Sequence, residues 1–173
     1  QLLKGKLVTN KSFVDDKKVS DHHAIIPTEE KSYRIELARA NIRPRIRMTY
    51  LYEYAQINNL LVIGTGNLSE ATVGYFTKWG DGAHDINPLA NLTKREVYIL
   101  AKYLGVPKAI INAKPSADLW PGQTDEDELG LTYEQIDEFI LNGTSGDNKI
   151  DEIIQTKKDR NTHKLEPISK FED

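Results

Sequence analysis

The sequence contains no cysteine, which excludes disulfides, thiolate metal sites and cysteine nucleophiles. It has no apolar run near the ~20 residues needed to cross a bilayer, and no basic-then-apolar signal segment at its start. A cytoplasmic location is the default expectation. A strong charge of one sign is also missing: 23 Lys and Arg against 26 Asp and Glu leave a formal net charge of −3. A broad electrostatic grip on duplex DNA by the whole chain is therefore not expected, although a local basic patch is compatible with that balance. What is present is ordinary for a soluble globular protein, with 28% charged and 39% hydrophobic residues. Its 173 residues suffice for one core.

The stretch Leu60 to Asp85, LLVIGTGNLSEATVGYFTKWGDGAHD, organises the reading of the rest. Leu60-Leu61-Val62-Ile63 is a short, branched apolar run that predicts a strand buried on both faces of a parallel sheet. Gly64-Thr65-Gly66-Asn67 turns it. Ser69 and Glu70 then stand near the carboxyl end of the strand, where open α/β sheets put their ligands. Lys78 precedes Gly80-Asp81-Gly82 and Asp85, a tight loop of mixed sign. These residues suit a phosphate-bearing ligand with a divalent metal; an ordinary βα turn with solvated charges is the alternative.

Elsewhere, Asn41 to about Asn58 predicts a helix. Asn41 can cap it, Pro44 suits a first turn, and Ile46, Tyr50, Tyr54 and Ile57 recur at helical spacing. Arg43, Arg45 and Arg47 stand near its start. Thr93 to Glu96 is a capping box opening a helix with Val97, Leu100, Ala101 and Leu104 on its apolar face and Gly105 at its end. Lys94 lies in that first turn, unfavourable for a cation without an anionic partner. Residues 114–130 predict a long proline- and acid-bearing loop, of the kind that is usually functional or mobile, and Trp120 suits a closing lid. Thr132 to Gln135 is a second capping box, leading into Ile136, Phe139 and Ile140 and stopping at Asn142-Gly143. Residues 144–147 read as a linker and 150–158 as a last helix.

GTGNLSE, YFTKWGDG and KPSADLWPGQTDEDELG follow in this order. They resemble the carboxyl-terminal half of the ammonia-dependent NAD synthetases, members of the ATP-pyrophosphatase superfamily, and the likeness runs from about residue 38 to 173. It implies an α/β fold, a partial doubly wound parallel sheet of the adenine nucleotide α-hydrolase-like type, truncated at its amino-terminal side. The truncation is expected because the family's upstream Ser-Gly-Gly-x-Asp-Ser loop, whose amides hold the pyrophosphate of ATP, does not occur in this sequence. The implied activity is amidation of deamido-NAD by ammonia, with ATP as co-substrate and Mg2+ as cofactor, giving NAD, AMP and pyrophosphate. The family also implies a homodimer. By residue-for-residue match, Thr65, Lys94 and Ser116 are expected at ATP and Glu70 at magnesium. Arg45, Lys78, Asp85, His163 and Lys164 are expected at deamido-NAD. No residue is expected to act as a covalent nucleophile.

Residues 1 to about 34 read differently. Lys4, Lys6, Lys11, Lys17 and Lys18 make them lysine-dense, and Ser20 to Thr28, SDHHAIIPT, resembles a motif of type IA DNA topoisomerases of the topoisomerase III kind. His22 matches a histidine that helps position the DNA backbone there. The other catalytic parts of that family do not follow, so this segment is expected to be a poorly ordered tail. For the chain as a whole, the alternatives are a DNA-binding module that grips a phosphate backbone and a non-catalytic nucleotide-binding remnant. The expected division is residues 1–34 and 35–173, with the junction between Lys31 and Leu37.

Overall fold

The structure is a computed structural model that describes residues 28–117, 122–168 and 170, and the side chains from residue 34 onward. The topoisomerase-like motif up to Pro27, and the lid expectation for Trp120, lie outside the described residues. The chain divides between Leu37 and Ala38 into two units. Helix α1 (Thr28–Ala40) runs across that division, and the site belongs wholly to the second unit.

The second unit is built on short helices whose ends are specified locally. Helix α3 (Leu68–Val73) starts at a capping box in which Asn67 accepts from the Glu70 amide while Glu70 accepts from the Asn67 amide, both at 3.0 Å. Helices α4 (Lys94–Tyr103) and α7 (Tyr133–Asn142) start at the capping boxes of Thr93/Glu96 and Thr132/Gln135. Each box satisfies two backbone donors that a helix start otherwise leaves open. Helix α5 (Lys108–Ile111) follows α4. Helix α8 (Asn148–Asn161) is longer than the 150–158 expectation because Asp147 caps it by accepting from the Lys149 amide at 2.8 Å.

Val73, Leu129, Leu131, Tyr133, Ile136 and Ile154 form the core, with Tyr75, Phe139, Ile140 and Ile150 packed against it. Ile136 and Ile154 are fully buried, each contributing roughly 1.5–3 kcal/mol of burial energy. The end of α3 is locked to the end of α8 at Gly74. Its φ is +67°, and a Cβ there would lie 2.2 Å from the Asn161 Cβ, so a side chain is excluded by both conformation and space. Asn161 Nδ2 in turn donates to the Val73 carbonyl at 3.1 Å.

Three expectations are corrected. Leu60 to Ile63 do not form a strand buried on both faces: one parallel bridge joins Ile63 to Ile86, Val62 is buried, and Leu60, Leu61 and Ile63 are exposed. The segment around Ile86 covers one edge of the run, and among the described residues no further strand flanks it. Asn41 does not cap α2 (Ile42–Asn58); its side chain instead accepts from Thr77 Oγ1 at 2.6 Å. Pro44 and Ala55 are the buried positions of α2, while Ile46, Tyr50, Tyr54 and Ile57 face outward. The long loop also ends in a helix, α6 (Asp125–Leu129), because Thr124 accepts from the Asp127 amide and acidic side chains fill the first turn.

The 144–147 linker is organised by a carboxylate. Asp151 accepts from Ser145 Oγ and Thr144 Oγ1 at 2.6 Å and from the Ser145 amide at 2.7 Å. The Ser145 side-chain bond, followed by those from Thr144 and the backbone, lowers the Asp151 pKa below its ordinary value of 3.8. A depressed carboxylate contributes stability that is complete above its unfolded pKa and fades as pH falls through the folded one. Denaturation profiles below pH 3.8 are therefore expected to fall less steeply in Asp151→Asn than in the parent chain.

Candidate functional site

The turn after Val62-Ile63 opens a cavity of about 520 Å³, lined among others by Thr65, Glu70, Ser116, Asp125 and Lys164. Glu70 reaches it because the capping box fixes its side chain at the start of α3. Its Oε2 accepts from the Asn67 amide, and its Oε1 lies 3.0 Å from Lys94 Nζ. Lys94 is the first residue of α4, and this carboxylate supplies the anionic partner a cation needs at a helix start. Its ammonium also lies 4.5 Å from the centre of the Tyr133 ring.

Four sequence-expected residues thus line one cavity, Thr65, Glu70, Ser116 and Lys164, and Lys94 joins them through Glu70. Lys164 enters from the 3₁₀ turn Thr162–Lys164. Its ammonium donates to the Gly74 carbonyl at 2.6 Å and the Phe76 carbonyl at 2.9 Å. Burial lowers its pKa below the ordinary lysine value.

The other four residues do not line this cavity. Three of them form a chain beside it: Arg45 Nη2 donates to the Lys78 carbonyl at 3.3 Å, and Lys78 Nζ donates to the His163 carbonyl. Lys78 also lies 5.5 Å from the ring of Trp79, a non-glycine residue held at φ +61°, a conformation that costs energy and concentrates at functional sites. Asp85 sits apart and secures the backbone, accepting from the Val62 amide at 2.8 Å and from the Tyr52 hydroxyl at 3.4 Å.

Ser69, which the sequence presents as a hydroxyl available to a ligand, is committed to the fold. It is fully buried, donates to Asp137 Oδ1 at 2.5 Å and accepts from the Lys94 amide at 2.8 Å. Asp137 Oδ2 accepts from the Arg95 amide at 2.8 Å. A carboxylate on α7 therefore holds the first turn of α4, and with it Lys94, against α3.

Sequence reasoning missed three residues of the site. Asp125 is 5% exposed; its Oδ2 accepts from the Tyr133 hydroxyl at 2.7 Å, and its Oδ1 has no hydrogen-bond partner among the described residues. Tyr133 is the pivot between Asp125, Glu70 and Lys94, and the Thr132 capping box fixes its place without disclosing that role. His84 lies against Gly64, where a Cβ would come within 2.5 Å of its ring, and its buried Nδ1 is also without a partner among the described residues. Asp125 and His84 both line the cavity, and each keeps one buried polar atom without a partner among the described residues.

Comparison with known proteins bears on which ligand. A family model described as NAD synthase matches residues 7–171. The NH(3)-dependent NAD(+) synthetase of Finegoldia magna is 47% identical over 151 residues, covering 87% of this chain and 61% of that protein. The corresponding protein of Carboxydothermus hydrogenoformans is 51% identical over 129 residues, covering 75% of this chain and 53% of that protein. The solved NMN synthetase of Francisella tularensis superposes with a TM-score of 0.75 at 50% identity, covering 78% of this chain and 56% of that one. The chain thus spans a little over half the length of the relatives it matches. With the match extending over nearly the whole of its length, the chain belongs to the NAD synthase family.

Proposed function

We propose that this chain carries the substrate side of an ATP-dependent amidation: deamido-NAD and ammonia are converted to NAD, with release of AMP and pyrophosphate. The observation that carries this reading is the shared cavity wall of Thr65, Glu70, Ser116 and Lys164, with Lys94 joined to Glu70. Thr65, Lys94 and Ser116 would bind ATP. Arg45, Lys78, Asp85, His163 and Lys164 would bind deamido-NAD. The nicotinate carboxylate attacks the α-phosphorus of ATP and displaces pyrophosphate; ammonia then displaces AMP from the acyl adenylate. The protein's part is orientation and charge neutralisation, and it needs no covalent nucleophile.

Glu70 would hold magnesium. Among the described residues no three His, Cys, Asp or Glu side chains gather into a metal cage. A single wall carboxylate still suits this ion, which usually takes one or two protein carboxylates and completes its shell with substrate phosphates and water. When bound, magnesium offsets phosphate charge.

The parallel bridge of Ile63 and Ile86 would be the seed of a partial doubly wound sheet. The outward row of Ile46, Tyr50, Tyr54 and Ile57 on α2 would meet a second copy in a homodimer; light scattering that finds a monomer counts against it. No described helix is long and apolar enough to cross a membrane, and the proposed reaction suits the cytoplasm. The topoisomerase-like reading of residues 1–34 is not favoured, because the family match begins at residue 7 and runs through that motif.

Because the chain spans about half of its relatives' length, binding rather than turnover is the quantity to measure. Calorimetric titration with deamido-NAD is expected to give binding that Arg45→Ala or Lys78→Ala weakens by roughly ten- to a hundredfold, the size of a charge-assisted contact. Absence of binding to the folded chain would sink the reading. A second reading is that the amide product is NMN, the name carried by the Francisella tularensis relative. Titration with nicotinate mononucleotide beside deamido-NAD separates the two: equal affinities favour the mononucleotide.

A further inference from the structure

We propose that the aromatic ring of Tyr133 is the positioning element for Lys94, holding its ammonium where a nucleotide phosphate is received. This rests on the reading that Lys94 binds ATP.

Lys94 starts α4, where the helix dipole repels a cation. A carboxylate alone would not fix it, because an ammonium with three rotatable donors can swing around one oxygen at little cost. Here the Glu70 Oε1 contact at 3.0 Å is supplemented by the Tyr133 ring, whose centre is 4.5 Å from Nζ. The ring takes one side of the ammonium and the carboxylate another, leaving a donor for a ligand oxygen.

The ring is itself well fixed. Tyr133 is 6% exposed, begins α7 behind the Thr132 capping box and belongs to the core. Its hydroxyl donates to Asp125 Oδ2 at 2.7 Å and lies 3.4 Å from Glu70 Oε1. One phenolic proton cannot serve both carboxylates, and the shorter bond takes it. Burial foremost, then the charge of Glu70, raises the phenol pKa, so it stays neutral. The hydroxyl is thus tied to Asp125 and the face to Lys94, and substitution can separate the two roles.

The test uses the full chain, titrated with ATP and with AMP, alongside thermal melts. AMP is the control for effects that do not involve the outer phosphates. Lys94→Ala is expected to lose roughly tenfold or more in ATP affinity while AMP affinity stays within about twofold. Tyr133→Leu removes the ring and is expected to lose roughly three- to tenfold for ATP alone. Tyr133→Phe keeps the ring, loses only the hydroxyl, and is expected to restore ATP affinity. The double variant of Lys94→Ala and Tyr133→Leu is expected to be no weaker for ATP than Lys94→Ala.

The proposal is overturned if Tyr133→Phe loses as much as Tyr133→Leu, if ATP and AMP weaken together, or if the double variant is additive. A parent chain that binds no ATP, or a Lys94→Ala chain that binds it undiminished, instead removes the underlying reading of Lys94.

Discussion

Replacing Asp137 with alanine is expected to destabilise the chain by about 2–6 kcal/mol, since two buried donors lose their acceptor at roughly 1–3 kcal/mol each. The carboxylate is 1% exposed and receives Ser69 Oγ from α3 and the Arg95 amide from α4 while standing on α7. Its removal leaves the fully buried Ser69 hydroxyl without its acceptor and the Arg95 amide without its cap. Urea denaturation of Asp137→Ala and Asp137→Asn measures the effect. Asparagine keeps one acceptor and is expected to recover part of the loss. A change below about 1 kcal/mol for alanine, the range of an ordinary single hydrogen bond, would mean that Asp137 does not join the three helices energetically.

Glu70→Gln is expected to leave the fold largely intact and to weaken ATP binding in the presence of magnesium by roughly ten- to a hundredfold. Glutamine can still accept from the Asn67 amide, so the capping box that Glu70 closes at 3.0 Å survives. What disappears is the charge that faces the cavity and pairs with Lys94. Calorimetric titrations with and without magnesium should locate the larger share of the loss in the magnesium-dependent part. If the variant loses the same factor in the absence of the ion, Glu70 acts through Lys94 alone, and the assignment of magnesium to it falls.

The helix starts were legible wherever the deciding contact is local. The Thr93/Glu96 and Thr132/Gln135 boxes join residues three apart, so the pattern itself carries the physics. Asn41 has the composition of a cap but pairs with Thr77, a partner 36 positions away. Ser69 meets Asp137 across 68 positions, and nothing in the sequence near Ser69 marks that partner. The apolar row of α2 was visible at its spacing, but spacing does not say what covers a face, and this one is exposed. In the site, the family motifs named Thr65, Glu70, Ser116 and Lys164, which the cavity brings together, whereas Tyr133 and Asp125 acquire their roles from contacts between α3, α4, α6 and α7. Residue type alone presents Tyr133 as a core aromatic, which it also is.

Among the described residues the bridge between Ile63 and Ile86 stands alone, and this bears on how the protein behaves in solution. Leu60, Leu61 and Ile63 put apolar side chains on the surface beside backbone that, among the described residues, pairs on one edge only, and a strand edge of that kind is a template for another chain. The run has no charge or proline to interrupt such pairing. Self-association of the concentrated protein should therefore begin here, and a lysine at Leu61, on the outward side of the run, is the natural gatekeeper.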